Sequence, residues 1–382
     1  MTPEFYLDNN ATTPLAAEVQ AAMRDVPIAA YGNPSSSHWA GYPARDAIET
    51  ARSQVARLLC CDATEIVFTS GGTEANNLAI KGLFFAQREL RRPFHVITSC
   101  VEHPAVLEPT AFLERLGAEV TQLPVDRYGA VDPDAVGRAV RAHTALISIM
   151  HANNEVGTIQ PLVEISSIAR QHGIPFHSDA AQSVGKISVD VESLGVDLLS
   201  VAAHKFYGPK GIGALFVREG IRLEPLLHGA DHEAGRRAGT ENTSAIVGLG
   251  AACDLALRWS DEVGVAALRD ELWHGIEQLF GDQAVLNGHP TRRLPNTLNV
   301  GFRGRIGRDV LAGLPGVAAS IGAACHAGSI EVSPVLAAMG VPRDVALGAV
   351  RFSLGRDTTR EDVLVVVEHL KSLKQEIPLT AT

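Results

Sequence analysis

Ser200-Val-Ala-Ala-His-Lys-Phe-Tyr-Gly-Pro-Lys-Gly-Ile-Gly213 is the stretch on which the fold turns. Asp197 to Ala203 is an apolar run of strand length without alternation, as expected of a strand covered on both faces. It leads into His204-Lys205, then a turn broken by Gly208, Pro209, Gly211 and Gly213, then a second short run, Ala214–Val217. A lysine where a buried strand ends lies at the sheet edge that binds ligands in α/β proteins. Burial lowers an amine's pKa and makes it a usable nucleophile and base. Taken alone, the window also admits a solvated loop lysine beside Lys210.

Working outward, strand, helix and strand repeat from Glu65. The strand candidates are Glu65–Thr69, His95–Ser99, Glu119–Pro124, Ala145–Met150, Ile174–His177, Asp197–Ala203 and Ala214–Val217. Helical stretches such as Thr73–Leu90, Ala105–Leu116 and Leu162–Gln171 separate them. This pattern predicts an α/β fold: a mostly parallel seven-stranded sheet with helices on both faces. After about Ser244 the texture changes to two helices, Ala245–Trp259 and Glu262–Phe280, then strand-like Asn296–Gly301 and Val350–Ser353. A closing helix follows Thr358-Thr-Arg-Glu361, which has the form of a capping box. We read residues 15–257 as a large domain. Residues 1–14 and 258–382 form a smaller α+β domain with a Gly-rich stretch from Gly313 to Gly328, in which Ser320–Gly328 is small, flexible and polar enough for a mobile loop.

Composition narrows the function. The chain has 382 residues, 46% hydrophobic and 20% charged, with a net charge of −10. That describes a globular protein without a dominant nucleic-acid surface. No apolar run reaches membrane-spanning length, and Met1-Thr-Pro-Glu-Phe5 has no basic or apolar leader character, so the cytoplasm is the expected location. The five cysteines, Cys60, Cys61, Cys100, Cys253 and Cys325, have neither a disulfide nor a zinc spacing, and no metal is expected.

Chemistry gathers at the strand ends. Ser70-Gly-Gly-Thr-Glu-Ala-Asn-Asn77 joins a strand to a helix, so Gly72, Thr73 and the helix N-terminus can cradle a phosphate. It is neither a Walker A sequence nor a dinucleotide fingerprint. Cys100-Val-Glu-His103 places a histidine at the next strand end, where it can stack on a flat ring or move protons. Met150-His-Ala-Asn-Asn-Glu-Val-Gly157 crowds Asn153, Asn154 and Glu155 at another, and Asp179 ends a further strand with Gln182 one turn on. A phosphate cradle, a ring stacker, a carboxylate and an amine together fit pyridoxal phosphate. The lysine would form a Schiff base, and the aspartate would keep the pyridine nitrogen protonated.

Several motifs resemble those of the cysteine desulfurases of the class V aminotransferase group. They are Leu7-Asp-Asn-Asn-Ala-Thr-Thr13, Gly32-Asn-Pro34, the Ser70–Asn77 turn, Glu102-His103, Asn153-Asn-Glu-Val-Gly-Thr158, His204-Lys205-x-Tyr-Gly-Pro-Lys-Gly211, His232-Glu233, Arg236-x-x-Gly-Thr240 and Arg351-Phe-Ser-Leu-Gly355. The resemblance implies a PLP-dependent fold and roles residue by residue. Lys205 would hold the cofactor and His103 would stack on it. Asp179 would meet the ring nitrogen, and Asn153 and Gln182 the phenolic oxygen. Thr73 and His204 would bind the phosphate, joined by Thr240 across a homodimer interface. Arg351, with Asn153, would bind the carboxylate of L-cysteine.

In Ser320-Ile-Gly-Ala-Ala-Cys-His-Ala-Gly328 the resemblance makes Cys325 the thiol that takes the substrate sulfur as a persulfide and passes it to an acceptor protein, for iron–sulfur cluster assembly or tRNA thiolation. His326 is a candidate for favouring the thiolate. Two positions depart from the family: Ala202 stands where a phosphate-binding serine is common, and Ala324 precedes the cysteine in place of serine. The chain ends soon after Val363–Leu373, so a scaffold docked on a longer tail is not assumed. The competing readings are a selenocysteine lyase or other class V enzyme in which Cys325 is idle, and a non-catalytic sulfur-trafficking subunit. The intact Lys205, Asp179 and His103 argue against the second.

Overall fold

The computed structural model describes residues 4–89, 93–258, 264–326 and 329–376. Strands are numbered along the chain from β1, Phe5–Tyr6. The large sheet contains β2 (Ile66–Thr69), β3 (His95–Ser99), β4 (Glu119–Leu123), β5 (Thr144–Ser148), β6 (Phe176–Asp179), β7 (Leu198–Ala202) and β8 (Gly213–Val217), in the order β2-β8-β7-β6-β5-β3-β4. The pairs from β7 across to β4 are parallel, and β8 runs against both β7 and β2. This is the expected mostly parallel seven-stranded sheet.

Strand periodicity explains why the sheet is covered on both faces. In β2, Ile66 and Phe68 point into one core with the helices Tyr42–Leu59 and Thr243–Arg258, while Val67 points into another with the helix Gly72–Glu89. β8 divides the same way, Ala214 and Phe216 against Leu215 and Val217. Both faces are apolar, so the runs do not alternate. Among the described residues, no helix is long and apolar enough to cross a membrane.

A second sheet carries the later part of the chain. It comprises β9 (Ala284–Asn287), β10 (Thr297–Phe302), β12 (Ser320–Ile321) and β15 (Ala349–Ser353), all antiparallel, in the order β12-β15-β10-β9. Between them come β11 (Val317–Ala318) and the hairpin β13 (Ala323–His326) with β14 (Ser329–Val332). The helices Val265–Phe280 and Arg360–Glu376 cover the sheet with Leu272, Ile276, Val366 and Leu370 over Val300, Phe302 and Phe352. Leu7 belongs to this core, because β1 pairs in parallel with β11 and Asp8 bridges to Ser353.

Within the Gly-rich Gly313–Gly328, where a loop is expected at Ser320–Gly328, the described residues include short strands. Small residues tolerate close strand pairing as well as turns, and residues 317–318, 320–321 and 323–326 are strands. Cys325 pairs with Ile330 across the hairpin. The connection at 327–328 lies outside the described residues, as do the side chains of 323–330.

Candidate active site

Parallel winding places the carboxyl ends of β7, β6, β5 and β3, four neighbours in the sheet, along one edge. Lys205 follows β7 on a short turn, Asp179 ends β6, Asn153 follows β5 and His103 follows β3. The Lys205 turn closes on Tyr207, a non-glycine residue at φ +68°. That conformation costs on the order of 1–3 kcal/mol unless the surroundings enforce it. Here Thr13 enforces it: its Oγ1 accepts from Tyr207 N at 2.7 Å and donates to His204 O at 3.1 Å.

Lys205 is partly buried, and its Nζ donates to Asn10 O at 2.8 Å and Ala11 O at 2.9 Å. Burial and then the Arg351 guanidinium lower its pKa to about 8, while Asp179 and Asp8 oppose the shift. Asp179 is buried; Oδ2 accepts from Asn76 Nδ2 at 2.7 Å and Oδ1 from Ala181 N at 2.9 Å. Its side chain makes no ion pair among the described residues. Behind it, Glu102 is buried and accepts from Ser99 Oγ at 2.6 Å and Met150 N at 2.9 Å. Desolvation pushes the Glu102 carboxyl up to about 8, so it is mostly neutral at pH 7.

His103 caps the helix Pro104–Glu114, its Nδ1 accepting from Ala105 N at 3.1 Å. That bond places the proton of the neutral ring on Nε2. The residue is solvent-exposed, yet enough protein surrounds the ring to hold its pKa below the ordinary value by desolvation, with Asp179 raising it and Lys205 lowering it. Gly71, Gly72, Thr73, Thr12, His204 and Lys210 line a cavity of about 400 Å³ at the start of the helix Gly72–Glu89. His204 Nδ1 lies 3.1 Å from Thr12 Oγ1, and burial lowers its pKa to about 4. A Cβ at Gly72 would come within 3.3 Å of the Ala202 methyl, so Ala202 forms part of the cradle floor without a hydroxyl.

Other expected residues are placed less simply. Asn153 Oδ1 accepts from the N–H groups of Glu155 and Val156, and Nδ2 donates to Val101 O. Gln182 Nε2 donates to Asn10 O, and Oε1 accepts from Lys186 Nζ at 2.6 Å. Arg351 is buried and already paired: Nη2 reaches Asp8 Oδ1 at 2.7 Å and Nη1 reaches Asn154 O at 3.0 Å. Thr240 is exposed and outside the cradle cavity of its own chain. The loop before it is held by Glu233 and Ala234 in left-handed conformations, with Arg52 bidentate on Glu233 at 2.8 Å. A cavity of about 680 Å³ lies behind Lys205 between the two cores, and neither Asp179 nor His103 lines it.

Sequence reading missed Asn10, Asn76 and Lys186. Asn76 had a local signal: it sits four residues after Gly72, one helical turn on. Asn10 had none, since its partners lie far along the chain. Its O accepts from Lys205 and Gln182, its Oδ1 from Lys186 and Asn296, and its Nδ2 donates to Thr297 and Asn154.

The class-V aminotransferase family model matches residues 5–366. A cysteine desulfurase IscS of Dictyoglomus turgidum is 49% identical over 381 residues, covering 99% of this chain and 96% of that protein. The mitochondrial cysteine desulfurase of Arabidopsis thaliana is 45% identical, covering 98% and 84%. Among solved structures, a NifS-like protein superposes with a TM-score of 0.91 at 37% identity, covering 98% of this chain and all of that one (100%). SspA in complex with cysteine superposes at 0.82 with 38% identity, covering 93% and 100%.

Proposed function

As the chain belongs to the class-V aminotransferase family, and within it to the cysteine desulfurases, we propose that it uses pyridoxal phosphate to take sulfur from L-cysteine, releasing L-alanine and leaving a persulfide on Cys325. The observation that carries this reading is the convergence of Lys205, Asp179 and His103 at the ends of β7, β6 and β3, close enough to influence one another's charge.

Two features fit the cofactor. A buried carboxylate with amide donors and, among the described residues, no ion-pair partner suits a protonated ring nitrogen, and that describes Asp179. The glycine turn, close against Ala202 and with a long helix behind it, suits a phosphate. Thr73 and His204 would hold that phosphate. Thr12 offers a hydroxyl in the same cavity, which Ala202 does not. Gln182 keeps one amide hydrogen for the phenolic oxygen, whereas the second hydrogen of Asn153 faces Met150 Sδ at 3.6 Å.

When bound, pyridoxal phosphate supplies an electron sink for negative charge at the substrate Cα. Lys205 would hold the aldehyde, and its amine would take the Cα proton. Arg351 turns from Asp8 to the substrate carboxylate, which its planar donor pair can grip with both prongs. Cys325 thiolate attacks the substrate sulfur; the new S–S bond forms as the Cβ–S bond breaks, and the carbon skeleton leaves as alanine after proton uptake. An acceptor protein for iron–sulfur assembly or tRNA thiolation then takes the sulfur. Pure protein given L-cysteine should release alanine, carry an added sulfur on the Cys325 peptide by mass, and lose it to an acceptor. Alanine release without that added mass would refute the Cys325 role.

We also infer a homodimer in which Thr240 of each copy completes the phosphate site of the other. Ile28, Tyr31 and Trp39 are 80%, 65% and 76% exposed, an unusual concentration of large apolar groups for a monomer's surface. Light scattering should give twice 40.5 kDa, and a monomeric mass at micromolar concentration would sink this arrangement.

A further inference from the structure

Lys186 takes no part in the chemistry above, yet it bridges two residues that border it. It follows Gln182 by four positions in the turns after β6. Its Nζ donates to Gln182 Oε1 at 2.6 Å and to Asn10 Oδ1 at 2.9 Å, and no carboxylate is among its described partners. Burial, and then the charges of Lys205 and Arg351, hold its pKa well below the ordinary lysine value. An uncharged amine has two hydrogens, and two oxygens stand within reach to take them.

Both oxygens belong to side-chain amides. That of Asn10 is fixed from several sides: Oδ1 also accepts from Asn296 Nδ2 at 3.0 Å, while Nδ2 donates to Thr297 Oγ1 at 2.8 Å and Asn154 O at 3.1 Å. Gln182 is buried and held by less. Its Nε2 donates to Asn10 O at 2.9 Å, and among the described residues only Lys186 donates to its Oε1. Without Lys186 a buried acceptor would lose its hydrogen bond, and the amide would rotate to find another. The Nε2 hydrogen that Asn10 leaves free would then turn away with it. We propose that Lys186 is a positioning residue that locks the Gln182 amide, so that its free Nε2 hydrogen is presented to the phenolic oxygen of pyridoxal phosphate. The inference rests on the reading that places Lys205 and Gln182 at that cofactor.

A hydrogen bond to the phenolic oxygen favours its charged form, and so weakens the hold of the neighbouring Schiff-base nitrogen on its proton. Loss of the donor should therefore raise the Schiff-base pKa by about one unit, a tenfold change in proton affinity.

A double-mutant cycle on the cofactor-loaded protein, read by Schiff-base absorbance against pH, tests this. Gln182→Ala and Lys186→Met should each raise that pKa by about one unit. In the Gln182→Ala background, Lys186→Met should add almost nothing. Removing a nearby cation would also raise the pKa, but by the same amount in both backgrounds. Equal shifts in the two backgrounds, or no shift from Lys186→Met, overturn the proposal. Lys186→Gln keeps two donor hydrogens and no charge on a shorter arm. It should shift the pKa by less than Lys186→Met, and that shift too should vanish beside Gln182→Ala; a shift as large as that of Lys186→Met overturns the proposal. Circular dichroism of the stripped variants checks the fold, and where Lys186→Met does not fold, Lys186→Gln carries the cycle. Gln182→Ala alone tests the underlying reading. Without its shift the phenolic contact is wrong, whereas its shift beside a silent Lys186→Met defeats only the role of Lys186.

Discussion

Lys205→Ala should lower desulfuration by roughly 10⁴-fold or more, because the aldehyde anchor and the proton acceptor are lost together. The Schiff-base absorbance should vanish, and pyridoxal phosphate should pass through a desalting column separately from the protein. The fold should survive, since among the described residues the amine's hydrogen bonds go to Asn10 O and Ala11 O at the cleft. A persistent Schiff-base band would show that another amine holds the cofactor. Lys186 is the one to test, as burial holds its pKa well below the ordinary lysine value as well. The wild-type protein offers a graded form of the same prediction. Aldehyde capture needs a neutral amine, and burial with Arg351 holds the Lys205 pKa at about 8. Cofactor uptake by stripped protein should therefore accelerate as pH rises through 8 and level off above it. A rate still climbing at about pH 10, where ordinary lysines titrate, would contradict this environment.

Cys325→Ser should reduce persulfide formation by on the order of 10³-fold or more, since a hydroxyl is a far weaker nucleophile than a thiolate. The spectral change on adding cysteine should remain, because Lys205, Asp179 and Arg351 are untouched. No other described thiol is poised to substitute. Burial pushes Cys61 up to about 12 and raises Cys253 and Cys100, and Cys60 is also raised, by desolvation and then Asp190. Reactive thiols require the opposite shift. Alanine release at the parent rate from the serine variant would remove Cys325 from the mechanism.

These two residues were legible in the sequence for different reasons. Lys205 follows an unalternating apolar run, and the neighbouring runs are equally plain because each strand of the large sheet is buried on both faces. His103, Asp179 and Thr73 follow from the same logic, as residues at strand ends. Cys325 was visible only through family resemblance, and its segment looked like a loop because Gly and Ala reveal little about strand pairing. The side chain of Asn153 holds its own loop and that of Gln182 reaches Asn10 and Lys186, contacts that local sequence cannot show. Asn10 stayed silent for a further reason: its partners Ser353 and Thr297 are brought near only by the folded chain.

The position of Asn10 has a consequence for biosynthesis. The first ten residues supply the carbonyl on which Lys205 rests, but they are held by β11 and by Ser353, 343 positions later. A chain emerging from the ribosome can assemble the large sheet early, since its strands lie between residues 66 and 217. It cannot seat the segment around Asn10 until Ser353 has been made. Contacts spanning most of a chain are the slowest to form. Cofactor capture is thus a late event in the life of each molecule, and a truncated translation product would carry Lys205 without the platform that orients it.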